Sequence, residues 1–247
     1  MTLDIQERYH YSRQIPTLGE EGQERLKNAR ILIAGLGGLG SILATYLAAS
    51  GVGFLRVADN DIIDETNLHR QFLFRLEDIG RDKASVAADK ITAKFPSCRV
   101  EALCRTIDEV TVTDLTNDIH LIVDALDNFA TRHVLNRTAV KRGTPLFHGA
   151  VRGFYGQAFT IIPHRTPCMR CIFTEGLPRE TFPILGPTCG VIASVQATEV
   201  IKYITGIGAL LVDRMFVWNG RVSEAEIIEV ERNPSCRVCG DDGMEAA

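Results

Sequence analysis

The sequence has little excess of either charge. Its 247 residues carry a formal net charge of −4, so electrostatics gives no reason to expect nucleic acid as the main partner. A secretory leader is not expected, because "MTLDIQERYHYSRQ" places charges where a leader needs an apolar centre. No apolar run suits a bilayer. The most apolar helical stretch, Cys189 to Thr205, is too short and carries Glu199 and Lys202. No internal repeat, low-complexity tract or polar linker divides the chain. With 45% hydrophobic and 23% charged residues it can bury a sizeable core. The expectation is one soluble, cytoplasmic unit that meets neither membrane nor nucleic acid.

The first thirty residues read as polar helices with a narrow apolar stripe at Leu18 and Leu26. From Ile31 onward, short β-branched runs alternate with amphipathic stretches. The predicted strands are Ile31–Ala34, Phe54–Ala58, Arg99–Leu103, Leu121–Ala125 and Pro145–Ala150. The predicted helices are Gly40–Ala49, Asp82–Lys94 and Phe129–Lys141, the last stopped by Gly143 and Pro145. Continuous apolar strands between helices imply a parallel sheet covered on both faces. After Gly153, "GQAFTIIP", "DRMFVWNG" and "RVSEAEIIEV" read as antiparallel strands extending that sheet, with Asn219-Gly220 as a hairpin signal. The fold class is α/β, a Rossmann-like, mostly parallel sheet with an antiparallel C-terminal part. Its organisation reads as helices in 1–29, a nucleotide-binding half in 30–153 and an antiparallel half in 154–247.

Gly35, Gly37 and Gly40 in "ILIAGLGGLGSILATYLAASG" fit G-x-G-x-x-G between a strand and a helix. Such glycines let backbone approach a phosphate and let the helix, with its free amides, pack close to the strand. Asp59 ends the next strand where a ribose-binding carboxylate belongs, with Asp61 as a competitor. A nicotinamide dehydrogenase would share these features. The following segment argues against hydride transfer. Asn67, Arg70, Gln71 and Lys83 follow the carboxylate, and Lys83 opens a helix, where its charge opposes the dipole unless an anion lies near. Attack on a phosphate, unlike hydride transfer, uses such cations. Asp127 follows a strand end facing the ligand crevice and suits Mg²⁺ held against a triphosphate, or the cap of the next helix. Asp124 lies one position too deep and reads as structural.

"GLGGLG", "NLHRQ", "GRDKA", "DALDN", two CxxC pairs and "GVIASVQATEVIKYITG" occur in order from about Arg8 to Cys239. Together they resemble the MoeB/ThiF/HesA family, relatives of ubiquitin-activating enzymes. The resemblance implies ATP-dependent adenylation of the C-terminal glycine of a small ubiquitin-like sulfur-carrier protein of ThiS/MoaD type, ending in Gly-Gly and serving thiamine, molybdopterin or related thiolation pathways. It also implies that the glycine loop, Gly38 included, cradles ATP and that the residue at Asp59 binds ribose. Asn67, Arg70 and Lys83 would meet phosphates, Asp127 would hold Mg²⁺, and Gln71 and Asn128 would complete the nucleotide contacts. The family is homodimeric, and Arg13 in "RYHYSRQ" matches an arginine that reaches the ATP of the other subunit. A family member acting on another carboxylate, as in peptide adenylation or dehydration of a modified tRNA adenosine, is the near alternative. A non-catalytic nucleotide-binding subunit is a more distant one.

Seven cysteines suit no disulfide framework in a reducing compartment. Cys168-x-x-Cys171 and Cys236-x-x-Cys239 carry the spacing of a tetrahedral Zn²⁺ site, which would tie the C-terminal tail to the middle of the chain. Such a closed site is structural. Cys189 stands beside a predicted helix start, where a dipole can lower a thiol pKa, although free cysteines more often serve the core. Relatives that form a covalent thio-linkage carry a cysteine on the crossover loop, and 172–188 holds none. That loop, rich in Pro and Gly, is a candidate lid over a glycine-ended tail. Cys98 and Cys104 flank a strand and read as inert. No rhodanese-like segment follows Cys239, so a separate protein is expected to donate sulfur.

Overall fold

The computed structural model describes residues 2–173 and 182–240. Helices α1 (Ile5–His10) and α2 (Ile15–Asn28) open the chain. α1 buries none of its residues, while α2 buries Gly22, Gln23 and Leu26 and is interrupted at Gly19. The two polar helices expected here are present, and α2 supplies most of their apolar contact.

Strands β1 (Arg30–Ala34), β2 (Phe54–Ala58), β3 (Arg99–Leu103), β4 (Leu121–Asp124) and β5 (Leu146–Arg152) run parallel in the order β3-β2-β1-β4-β5. Strands β6 (Tyr155–Ile161), β7 (Arg214–Asn219) and β8 (Glu224–Glu229) add antiparallel to β5, completing one eight-stranded sheet. The chain order reverses between β1 and β4, the kind of crevice where open α/β sheets take ligands.

Helices α3 (Gly40–Ala49), α4 (Lys83–Lys94) and α8 (Gly186–Thr205) cover one face together with α2. Helices α5 (Val112–Leu115), α6 (Phe129–Arg142) and α7 (Met169–Ile172) cover the other. β1 shows why the central strands read as unbroken apolar runs. Ile31 and Ile33 enter the first core, Leu32 and Ala34 the second, and all four are fully buried. Each of the Ile and Leu side chains contributes about 1.5–3 kcal/mol, so the sheet centre is a rigid base for the loops at its carboxyl edge. β8 differs: all six of its residues are exposed, and it forms the open edge of the sheet. No helix among the described residues is long and apolar enough to cross a membrane.

Three boundaries differ from expectation. α8 starts at Gly186, three residues ahead of Cys189, with Pro187 in its first turn, where a missing N–H costs nothing. The β7–β8 connection is four residues, Gly220 to Ser223, with Ser223 at φ 56°, so Asn219 ends its strand and the tight Asn-Gly turn does not form. The cap of α6 is Asn128, whose Oδ1 accepts the Thr131 amide at 2.9 Å, and not Asp127. Of the crossover 172–188, Ile172 ends α7 and residues 186–188 open α8; residues 174–181 lie outside the described ones.

Candidate functional site

A cavity of about 1210 Å³ opens at the carboxyl ends of β1, β2 and β4. Its floor is the turn after β1. Gly35 adopts φ 90°, a left-handed conformation that only glycine takes without strain. A methyl group at Gly40 would overlap the Gly35 carbonyl oxygen, so α3 can start this close to the strand only with glycine there. Gly35, Gly37 and Gly38 line the cavity; Gly40 shapes it from behind.

Asp59 ties the turn to the next strand end. Its Oδ2 accepts the Leu36 amide at 2.6 Å and its Oδ1 the Asp61 amide at 2.8 Å. Burial pushes its carboxyl above the usual range, against the Asp61 amide, the Lys83 charge and the Leu36 amide. Each oxygen keeps a free lone pair, so a ribose hydroxyl could still donate to it.

The cations gather on one wall. Lys83 is buried at the first position of α4, and its Nζ pairs with Asp61 Oδ2 at 2.8 Å. The anion that an N-terminal lysine requires is therefore partly internal: Asp61 faces the ammonium across the cavity lining. Arg70 donates from Nη1 to the Thr66 carbonyl at 2.9 Å, which turns its side chain along the loop. Arg70 Nε, Asn67 Oδ1 and Gln71 Oε1 are buried polar atoms without partners among the described residues, and all three residues line the cavity. Buried groups left in this condition are costly unless a ligand satisfies them. Arg70 Nε is a donor that suits an anion, whereas Asn67 Oδ1 and Gln71 Oε1 accept, so the lining fits an occupant that carries both anionic groups and hydroxyl or amino donors.

Asp127 and Asn128, just past the carboxyl end of β4, also line the cavity. With Asn128 serving as cap, the Asp127 carboxylate is exposed and, among the described residues, accepts a hydrogen bond from Asn128 Nδ2 alone, at 3.3 Å. Eleven of the thirteen predicted nucleotide-site residues thus line one cavity. Gly40 and Arg13 do not; Arg13 is exposed in the turn between α1 and α2.

Sequence reasoning missed several lining residues. Arg132 of α6 and Phe173 after α7 border the Asp127 wall, and Arg105, Arg152, Tyr155 and Gln157 border the rest. Arg132 was legible in principle. It lies three residues before Leu135 and four before Asn136 on the stripe that α6 buries, where an arginine needs an internal partner. That partner is Asp124, fully buried, which also takes a 2.7 Å hydrogen bond from His148 Nδ1. Asp124 is structural, as its depth suggested.

Cys189 is fully buried beneath the glycine turn, and burial pushes its thiol up to about 11 despite the neighbouring Arg70 charge. The structural reading of Cys189 agrees with this environment. Cys98 is likewise buried and pushed up to about 12, while Cys104 is exposed beside Ser85. The other four cysteines meet as expected: one Sγ from each of Cys168, Cys171, Cys236 and Cys239 lies within 4.8 Å of every other. The Cys168–Cys236 pair is 3.8 Å apart and the Cys171–Cys239 pair 3.3 Å. Zn–S bonds of about 2.3 Å in a tetrahedron require S···S near 3.8 Å, so the cluster fits Zn²⁺ with no open position.

The ThiF family profile matches residues 11–238. The sulfur carrier protein adenylyltransferase of Thermus thermophilus is 38% identical, over 98% of this chain and 93% of that protein. The sulfur carrier protein ThiS adenylyltransferase of Escherichia coli is 35% identical, over 95% of this chain and 96% of that one. Among solved structures, E. coli MccB crystallised with ATP superposes with a TM-score of 0.86 at 25% identity, covering 96% of this chain and 75% of that one. By the profile over most of its length and by relatives above 30% identity that it covers almost completely, the chain belongs to the ThiF family.

Proposed function

We propose that this protein is an adenylyltransferase that uses ATP to activate the C-terminal glycine of a small ubiquitin-like sulfur-carrier protein. The observation that carries the reading is the single cavity in which the Gly35–Gly38 turn, the Asp59 carboxylate, Arg70 and Lys83 face Asp127. The names of the 38% and 35% identical relatives support the same reaction and a carrier of ThiS type.

The chemistry joins two anions. A carboxylate oxygen of the carrier attacks the α-phosphorus of ATP, pyrophosphate leaves, and an acyl-adenylate forms. Gly37 and Gly38 admit the phosphates close to backbone, and Asp59 accepts from the ribose. Arg70, Asn67 and Lys83 meet the phosphates, with Gln71 and Asn128 at their flanks. Partly buried cations stabilise charge spreading over the phosphoryl oxygens far better than water does. Asp127 is the residue that would hold Mg²⁺, which when bound neutralises part of the triphosphate charge. Hydride transfer to a nicotinamide has no use for Arg70 and Lys83 on this wall.

The remaining parts follow the family. Residues 1–247 act as one adenylation unit in a cytoplasmic homodimer, and the exposed Arg13 reaches the ATP of the second subunit. Zn²⁺ sits in the four-cysteine cluster, and sulfur comes from a separate donor protein. Cys189 takes no covalent part.

The test is exchange of labelled pyrophosphate into ATP. Exchange that requires a carrier ending in Gly-Gly supports the proposal. Exchange driven instead by a peptide carboxylate would move the protein to the peptide-activating branch. ATP binding with no exchange for any carrier would leave a non-catalytic subunit.

A further inference from the structure

Beneath the Asp127 wall lies a buried charged cluster that the reaction as described does not use. Arg132, 4% exposed, donates from Nη2 to the carbonyl oxygens of Leu126 and Gly149, the latter at 3.0 Å. Its Nε lies 3.3 Å from Asp124 Oδ2, an ion-pair contact without hydrogen-bond geometry. Asp124 in turn accepts the Leu126 amide at 3.0 Å through Oδ1 and His148 Nδ1 at 2.7 Å through Oδ2. Both backbone polar groups of Leu126 are thus held by one buried pair, Asp124 on the N–H side and Arg132 on the C=O side. Asp127 is the next residue. The turn is also closed from beyond, since Asn128 caps α6 through Thr131 and its carbonyl accepts the Arg132 amide at 3.3 Å.

Isolated buried ion pairs rarely add stability over an apolar packing of the same volume. Here the pair is spent on a backbone turn that carries an exposed carboxylate into the cavity. From this geometry we propose that Arg132, oriented by Asp124 and His148, is a positioning residue that fixes the Leu126–Asn128 turn so that Asp127 meets the metal–triphosphate. The inference rests on the role of Asp127 proposed above. Arg132 acts through Asp127 and touches no substrate. Lysine cannot replace it, because one ammonium cannot reach Leu126, Gly149 and Asp124 in the plane a guanidinium offers.

Two measurements on the full chain test this. The first is the affinity of Mn²⁺, as a spectroscopic Mg²⁺ substitute, in the presence of α,β-methylene-ATP. Loss of an outer partner of a metal ligand costs about 10- to 100-fold, and Arg132→Lys is expected to weaken Mn²⁺ by that factor. The second is a double-mutant cycle on pyrophosphate exchange. Arg132→Lys lowers kcat by a similar factor, moves KM for ATP by less than about threefold, and adds less than about twofold to Asp127→Asn. An equal loss in both backgrounds, or unchanged Mn²⁺ affinity, overturns the proposal, because Arg132 would then touch substrate or merely hold the fold. Should Arg132→Lys fail to fold, His148→Phe replaces it: the ring stays between Phe159 and Phe173 while Asp124 loses one donor. It must show the same non-additivity with a smaller loss. Absence of exchange in the unaltered protein would defeat the assigned reaction, while the Mn²⁺ titration would still judge the turn.

Discussion

Replacing Lys83 by Met should separate catalysis from stability. The Lys83 side chain is 7% exposed, whereas its partner Asp61 is 63% exposed. Met retains the apolar stem that packs at the start of α4 and removes only the ammonium. On the stability side, Asp61 loses a partner it can exchange for water, and pairs with one solvated member contribute about 0–1 kcal/mol. Burying a lysine charge also carries a desolvation cost that Met does not, which offsets part of even that. For a chain of this size 1 kcal/mol moves Tm by about 2–4 °C, so melting should shift by no more than a few degrees in either direction. On the catalytic side, the ammonium is a fixed charge in a partly water-excluded site. Deleting one such contact costs about 10²- to 10³-fold in rate, or about 2.7–4 kcal/mol. Carrier-dependent pyrophosphate exchange and a thermal melt on the same sample read the two effects. An exchange rate within a few-fold of the parent would falsify the assignment of Lys83 to the phosphates. A large loss of Tm accompanying the rate loss would equally refute the separation argued here.

Three further outcomes follow from named contacts. Replacing both Cys236 and Cys239 by Ser should abolish stoichiometric zinc in metal analysis and lower Tm, because only two of the four clustered thiolates then remain; full zinc content in this variant would refute the site. A methyl group at Gly38 would stand 2.8 Å from Cys189 Sγ, so Gly38→Ala should weaken ATP binding about 10-fold or more by a typical overpacking cost. Adding Cys189→Ala should restore most of it; no recovery in an ATP titration would show that the methyl blocks ATP itself. Burial tends to raise the carboxyls of Asp124 and Asp78, but Arg132 and His148 hold the first, and Lys90, the Arg75 amide and Arg81 the second, below their ordinary value of 3.8. Both therefore contribute stability that is fully present above 3.8 and lost as pH falls through the lowered values. Melts in acid should steepen below that point, and less so in Asp78→Asn.

What the sequence revealed was mostly local. The glycine turn, the strands around it and the paired cysteines could be read because their signals are backbone conformation, apolar runs and fixed spacing. Errors arose where one residue competes with its neighbour. Asn128 wins the cap from Asp127 because it directly precedes the first helical residue, and Pro187 was the overlooked sign that α8 begins before Cys189. The Asn-Gly signal lost to strand pairing, since Asn219 lies opposite Glu224 and the turn must then take four residues. The least visible feature was the Asp124–Arg132–His148 cluster. Its members come from β4, α6 and β5, and only the order of the strands brings them together. Of the three, Asp124 carries the clearest signal in the sequence, its depth at the end of β4.

The open edge at β8 also bears on how this molecule behaves in a crowded solution. Glu224, Glu226 and Glu229 interrupt its exposed apolar residues Ala225, Ile227 and Ile228. Among the described residues only β7 pairs with β8, and a strand open on one side invites another chain to hydrogen-bond along it. Three carboxylates along six residues place negative charge on this border, the kind of charge that discourages a second strand from adding there.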